Sequence, residues 1–393
     1  MLSGASGFFA ALDRNPYLSA VRAGMVSIVP LTIVGGVFTI LGYFYDLPLF
    51  HVPVAATFGV LGVAACLSIA YDLGRRMQQE PISSAMVATV VFLLLQLDRE
   101  SLSLRMEGLG SAGLFTAILV AIVTVEIQKF FTARKLVIRM PQGVPEIVSQ
   151  SFLSLVPLLF LVVAFWTVRF VLGFDINRAV QSAFQPLVFA LNTLPGILVY
   201  ALIVTMLWSI GINGDNAVDA VVAPIFLQYL AANVAALGQG APLPYATAYG
   251  FFTTFVNVGG TGATIALALV LWNSQEPGFR RVSRLSFPTQ IFQINEPIFF
   301  GLPIVLNPLF MIPYVLNALV LTAGTYLLMQ WSFVRKPFVN VPWTTPPVIG
   351  HYLVTGGDWR AAIWGVVSIL IAMAIYFPFA RAAERRRLAA TIV

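Results

Sequence analysis

The chain has 393 residues, 59% of them hydrophobic and only 10% charged, with a net charge of +6 and a mean hydropathy of +0.89. Soluble domains carry about 25% charged residues, so this composition excludes a soluble globular protein and places the chain in membrane lipid. The basic residues lie between or after apolar runs, which argues against nucleic acid. The single Cys66 and the distant His51 and His351 offer neither a disulfide framework nor a metal cluster, and no cofactor is expected.

In chain order, the first half carries six apolar segments near the bilayer-spanning length of about 20 residues: Val21–Tyr43, Val54–Asp72, Ser84–Leu97, Ser111–Phe131, Gln150–Leu172 and Leu194–Ile212. Because the first run begins after Asp13–Arg14 and further spans follow it, no cleavable leader is expected. Met140–Gln150 and Phe174–Gln185, of mixed polarity, read as interfacial amphipathic helices, or else as connecting loops. The second half has runs at Ala217–Leu237, Thr247–Trp272, Phe287–Leu306, Leu309–Trp331 and Ala361–Phe379, several interrupted by Pro and Gly. Backbone breaks at membrane depth survive only where protein or a watery cavity covers them, and transporters place binding sites there. Basic clusters after the second and fourth spans, after Trp272 and at the C-terminus place those points, and the N-terminus, in the cytoplasm.

Three polar islands interrupt the apolar pattern. Trp208 to Asn216 holds Asn213, Asp215 and Asn216 around Gly211 and Gly214, with Asp219 one turn on. Acids and amides at such depth face water, a ligand or each other, although a solvated loop with an Asp cap has the same composition. Asn257 to Thr264 is a glycine-rich opening, including Thr261, without the Gly-Lys-Ser/Thr of a phosphate loop; close helix packing also explains it. Gln293-Ile294-Asn295-Glu296-Pro297 places a lone carboxylate in an otherwise uncharged run. A carboxylate accepts several hydrogen bonds and suits the hydroxyls of a sugar. The other role for Glu296 is as partner to a buried arginine or a helix-end amide. Trp208, Trp343 and Trp359 are candidate stacking surfaces for a sugar ring, although tryptophan also anchors membrane boundaries.

The strings NEPIFFGLPIVLNP, GGTGATIALAL and VPWTTPPVIG with TGGDWR, with the opening RNPYLSAVRAGMVSIVPLTIVGG, resemble the IIC subunit of the lactose/cellobiose/diacetylchitobiose branch of the phosphotransferase system, from about Asp13 to Phe379. The resemblance implies an all-α polytopic membrane protein of about ten transmembrane helices with two re-entrant hairpins, in the bacterial inner membrane. It implies a homodimer joined through scaffold helices in residues 1–175. A sugar-binding domain at 176–380 would move like an elevator, followed by a basic tail or linker at 381–393. It also implies a disaccharide ligand, phosphorylated on its 6-hydroxyl by a phosphocysteine of a IIB subunit, with Glu296 orienting that hydroxyl. The expected binding set is Glu296, Asn295, Asn213, Asn216, Asp215, Trp208, Asn257, Thr261, Gln293 and Trp343.

One position departs from the pattern. Where the family usually has Gly-Ile-His-Gly, this chain has Asn213. An amide holds a hydroxyl but does not take its proton. The departure opens a second reading, a sugar receptor on the same fold, without phosphoryl transfer, joined to a cytoplasmic signalling domain such as a cyclic-di-GMP phosphodiesterase. His351 is a candidate substitute base, or a loop histidine. A third class is an ion-coupled transporter using Glu296 or Asp215 to move protons.

Overall fold

The computed structural model describes residues 15–45, 47–138, 141, 152–302 and 304–391. The helix expected over Met140–Gln150, save residue 141, and Asp13–Arg14 and Pro303 fall outside them. Within the described residues the regular secondary structure is helical, apart from one bridge between Leu97 and Leu104.

Helix starts repeat one local signal. Asn15, Glu80, Glu276 and Asn307 accept hydrogen bonds from first-turn amides, and Pro16, Pro81, Pro277 and Pro308 follow them. The cap satisfies an otherwise orphan donor, and proline brings a preset φ and no donor of its own.

The first half comprises α1 (Pro16–Ser27), α2 (Val29–Tyr45), α3 (His51–Phe58), α4 (Leu61–Arg76), α5 (Pro81–Gln96), α6 (Met106–Leu109), α7 (Leu114–Ala133), α8 (Leu155–Trp166) and α9 (Ile176–Leu191). α4 packs against α1, α5 and α7 and buries Ala65, Cys66, Ile69 and Ala70 completely. A π-helical turn, Thr167–Val171, ends α8, and the chain then bends by 81° into α9. Asp175 caps α9 and pairs with Arg105 at 3.0 Å and Arg169 at 3.1 Å, pinning the corner. The segment expected as an interfacial helix over Phe174–Gln185 is thus a longer helix, Ile176–Leu191.

The second half comprises α10 (Leu194–Ser209), α11 (Gly214–Gly238), α12 (Thr264–Leu271), α13 (Pro277–Gln290), α14 (Glu296–Gly301), α15 (Pro308–Gln330), α16 (Ile349–Val354) and α17 (Trp359–Thr391). α15 packs on α10 and α17, and α17 on α12. Two apolar runs are not continuous α-helices. Thr247–Trp272 breaks between a π-helical turn, Phe251–Val256, and α12, and Phe287–Leu306 divides into the end of α13 and the short α14. The second break has a local cause. Pro288 and Pro297 each lack a backbone donor, and Gln293 takes a φ of +67° between them.

Among the described residues, seven segments are long and apolar enough to cross a membrane, or eight if the bent pair Leu155–Val171 and Ile176–Leu191 is one span. α5 and α10, at 16 residues each, are apolar but shorter.

Candidate functional site

The three polar islands, far apart in sequence, meet in space. Asp215, in the first turn of α11, is their hub. Its Oδ2 accepts from Trp208 Nε1 at 2.8 Å and from Thr261 Oγ1 at 3.0 Å, and its Oδ1 accepts from Asn257 Nδ2 at 3.3 Å. Three neighbours all donating is what an ionised carboxylate requires, because it has only acceptors. The end of α10, the start of α11 and the glycine-rich loop are thereby tied to one side chain.

The third island joins through the same loop. Gln293 Oε1 accepts from the backbone N–H of Gly259 at 2.6 Å and of Gly260 at 3.1 Å, and Asn295 Nδ2 donates to the Thr261 carbonyl at 3.0 Å. Two glycines are required by this closeness. Gly260 has φ +104°, and a Cβ there would sit 2.4 Å from the Asn295 side chain. Gly262 has φ +74°, and a Cβ there would sit 2.3 Å from the Tyr314 ring. Glycine alone adopts such backbone at no steric cost.

The rest of the expected set divides by position. Asn213 Oδ1 caps α11 by accepting from the Asn216 N–H at 2.9 Å, while the Asn216 side chain is exposed. Trp208 stands edge-on to Phe299 of α14, with centroids 5.2 Å apart. Glu296, at the start of α14, is exposed and forms no ion pair or hydrogen bond with the described residues, so it is free of the buried-arginine role. Trp343 is 58% exposed and stands outside the bonded cluster. Its loop is nevertheless linked to the cluster, since Gln293 Nε2 donates to the Thr345 carbonyl at 3.4 Å. His351 is fully buried, packs edge-on to Phe255 and accepts from the Val348 N–H at 3.3 Å, which is core packing.

Sequence reasoning missed Tyr376, whose hydroxyl donates to the Gly262 carbonyl at 2.7 Å, and Tyr314, whose ring lies against Gly262. Both sit in largely apolar stretches of long helices, where a tyrosine hydroxyl is a weak signal. One buried acceptor of the cluster is left over, for Asn257 Oδ1 has no donor among the described residues. An unpaired buried acceptor is a place for a ligand donor. A cavity of about 360 Å³, lined by Phe38, Thr39, Tyr43 and His51, lies elsewhere, at the Gly238 end of α11. That end is about 35 Å from Asp215 at 1.5 Å per residue.

The family model for the phosphotransferase system, EIIC, matches residues 22–318. The chain belongs to that family. Among EIIC relatives, the Lichenan permease IIC component of Bacillus subtilis (strain 168) is 32% identical, over 95% of this chain and 90% of that protein. The PTS system cellobiose-specific EIIC component of Geobacillus stearothermophilus is 33% identical, over 94% and 90%. The crystal structure of the transporter ChbC, the IIC component from the N,N'-diacetylchitobiose-specific phosphotransferase system, matches with a TM-score of 0.90 at 31% identity. The match covers 97% of this chain and 96% of that one. With its apolar spans, this EIIC protein is a multi-pass bacterial membrane protein.

Proposed function

We propose that this EIIC protein binds and transports a disaccharide of the cellobiose or chitobiose kind, which is phosphorylated by a IIB partner. The observation that carries the reading is the meeting of three polar islands at Asp215, with an unpartnered Asn257 acceptor inside and a free Glu296 at the edge. Sugar hydroxyls donate and accept in fixed directions, and this set offers both amides and carboxylate oxygens. The relatives' printed cellobiose and diacetylchitobiose specificities support the choice of sugar.

In this reading the two backbone breaks, at 257–263 and 291–295, mark re-entrant hairpins. Residues 176–380 carry the sugar by an elevator displacement against scaffold helices in 1–175, which join two copies in the bacterial inner membrane with both termini cytoplasmic. In phosphoryl transfer, the sugar 6-hydroxyl oxygen bonds to phosphorus as the bond from phosphorus to the IIB cysteine sulfur breaks. The thiolate leaves, and the hydroxyl proton passes to Glu296. Asn213 has no place for that proton, and Asp215 already accepts from three donors.

Purified protein with phosphorylated IIB and cellobiose or diacetylchitobiose should yield sugar phosphate. Glu296→Gln should weaken disaccharide binding by about 1–3 kcal/mol, as for a hydrogen bond to a charged group, which calorimetry would read. Unchanged affinity removes Glu296 from the site. Asn213 supports a second reading, a non-phosphorylating receptor coupled to a cytoplasmic signalling domain. There, disaccharide binds but wild type makes no sugar phosphate, and Asn213→His raises the yield.

A further inference from the structure

α17 runs from Trp359 to Thr391, and 31 of its residues form one span candidate. At 1.5 Å per residue that is about 46 Å, against a hydrocarbon core of about 30 Å, so roughly 15 Å of helix stands clear of the lipid interior. The polar end, from Arg381 on, does not hang free. The buried Glu384 carboxylate accepts from Ser274 Oγ at 2.6 Å and from the Gln275 N–H, and it pairs with Arg381 at 2.7 Å. Arg387 reaches Glu276 at 3.7 Å and lies over the Phe279 ring at 5.1 Å. The end of α17 is therefore clamped to the start of α13.

The clamp has an electrostatic consequence. Glu276 and Glu384 are the only acids between Asn273 and Gln290 and between Arg381 and Val393, and both are taken up in it. Arg281, Arg385 and Arg386 remain exposed with no partner among the described residues. Arg280 and Arg284 are exposed too and donate only to neutral groups, the Ser274 and Trp272 carbonyls and the Asn273 side chain. The exposed charged side chains of these two segments are thus all basic. This face also leads to the site, since α13 ends three residues before Gln293, about 13 Å along the chain from Arg284 at helical rise.

We infer that the arginine face built from α13 and the end of α17 is the docking surface for an acidic partner protein, namely the phosphoryl-donating component on which the transport reading above rests. A cationic face steers an anionic partner and raises its association rate. Anionic lipid is the less suited occupant, because the face adjoins the polar site through α13 and Gln293, where the transport reading needs a phosphoryl donor.

The test uses the full chain in nanodiscs and the triple variant Arg281→Glu/Arg385→Glu/Arg386→Glu, which spares every clamp contact. The probe is a purified IIB component of a cellobiose-specific phosphotransferase system. The variant should raise the KM for phosphorylated IIB and weaken directly measured IIB binding by about tenfold or more. Its disaccharide affinity, thermal midpoint and rate at saturating IIB should match wild type. Raising salt should weaken IIB binding to wild type much more than to the variant. An unchanged KM and unchanged IIB binding overturn the proposal, and loss of affinity for phosphatidylglycerol vesicles alone assigns the face to lipid. Should wild type make no sugar phosphate, the transport reading fails, while direct IIB binding still decides whether this face is the dock.

Discussion

Replacing Asp215 separates a side chain that holds the site together from one that only touches the sugar. Asp215→Ala removes the acceptor of Trp208 Nε1, Thr261 Oγ1 and Asn257 Nδ2 at once. Hydrogen bonds to a charged group contribute about 1.5–3 kcal/mol each and are not fully additive, so the loss should be about 3–6 kcal/mol. Asp215→Asn is milder. Its remaining oxygen can keep the Trp208 and Thr261 bonds as neutral ones, and the Asn257 amide, whose Oδ1 is free, can turn to accept from the new N–H. That variant should lose about 1–2 kcal/mol. With about 2 °C of midpoint per kcal/mol for a large domain, thermal unfolding in detergent followed by tryptophan fluorescence should fall by about 6–12 °C for Ala and about 2–4 °C for Asn. Disaccharide affinity should fall in the same order. An Asn variant that loses sugar binding with an unmoved midpoint refutes the reasoning, because the carboxylate would then serve the ligand and not the scaffold.

Gly262→Ala forces a Cβ to 2.3 Å from the Tyr314 ring at a φ of +74°. Left-handed strain and overpacking together should remove about 2–5 kcal/mol, read as loss of the monodisperse peak in size-exclusion chromatography, and a normal peak would mean that the loop relaxes freely. The corner at Asp175 predicts acid sensitivity. Burial acts to raise its carboxyl, but the Arg178 N–H, the Arg105 bond and the charges of Arg105 and Arg169 outweigh it and hold the group below its ordinary value. A depressed carboxylate stabilises the fold above the unfolded value of about 4 and loses that contribution as the pH falls through the folded one. Midpoints measured from pH 6 to pH 3 should therefore drop more steeply below about pH 4 in wild type than in Asp175→Asn, and equal slopes would discount the corner.

Much of the site was legible because a membrane makes polarity costly. Asp215, Asn257, Gln293 and Asn295 stand out only because their neighbours are apolar, and all four enter one bonded cluster. Their mutual bonding was not legible, since it joins segments 34 to 46 residues apart and no local pattern encodes which donor meets which acceptor. Tyr376 is a harder case, being 114 residues from the Gly262 carbonyl it supports. The break inside Phe287–Leu306 was signalled by Pro288 and Pro297, yet summed hydrophobicity hid it by treating those residues as uninterrupted apolar length.

Asn213 connects the fold to the chemistry. Asparagine is among the best helix N-caps, and here its oxygen satisfies an amide of the first turn of α11, the turn that carries Asp215. Histidine is a poorer cap, so the exchange that removes a titratable group also firms the base on which the Asp215 hub stands. An amide oxygen accepts a hydrogen bond from a hydroxyl but is too weak a base to take its proton. Under the proposed function the proton of the phosphorylated hydroxyl would pass to Glu296, an exposed carboxylate without a donor among the described residues, so phosphoryl transfer and sugar orientation would fall to the same side chain. Loss of transfer in Glu296→Gln at saturating sugar would then follow from the amide at position 213.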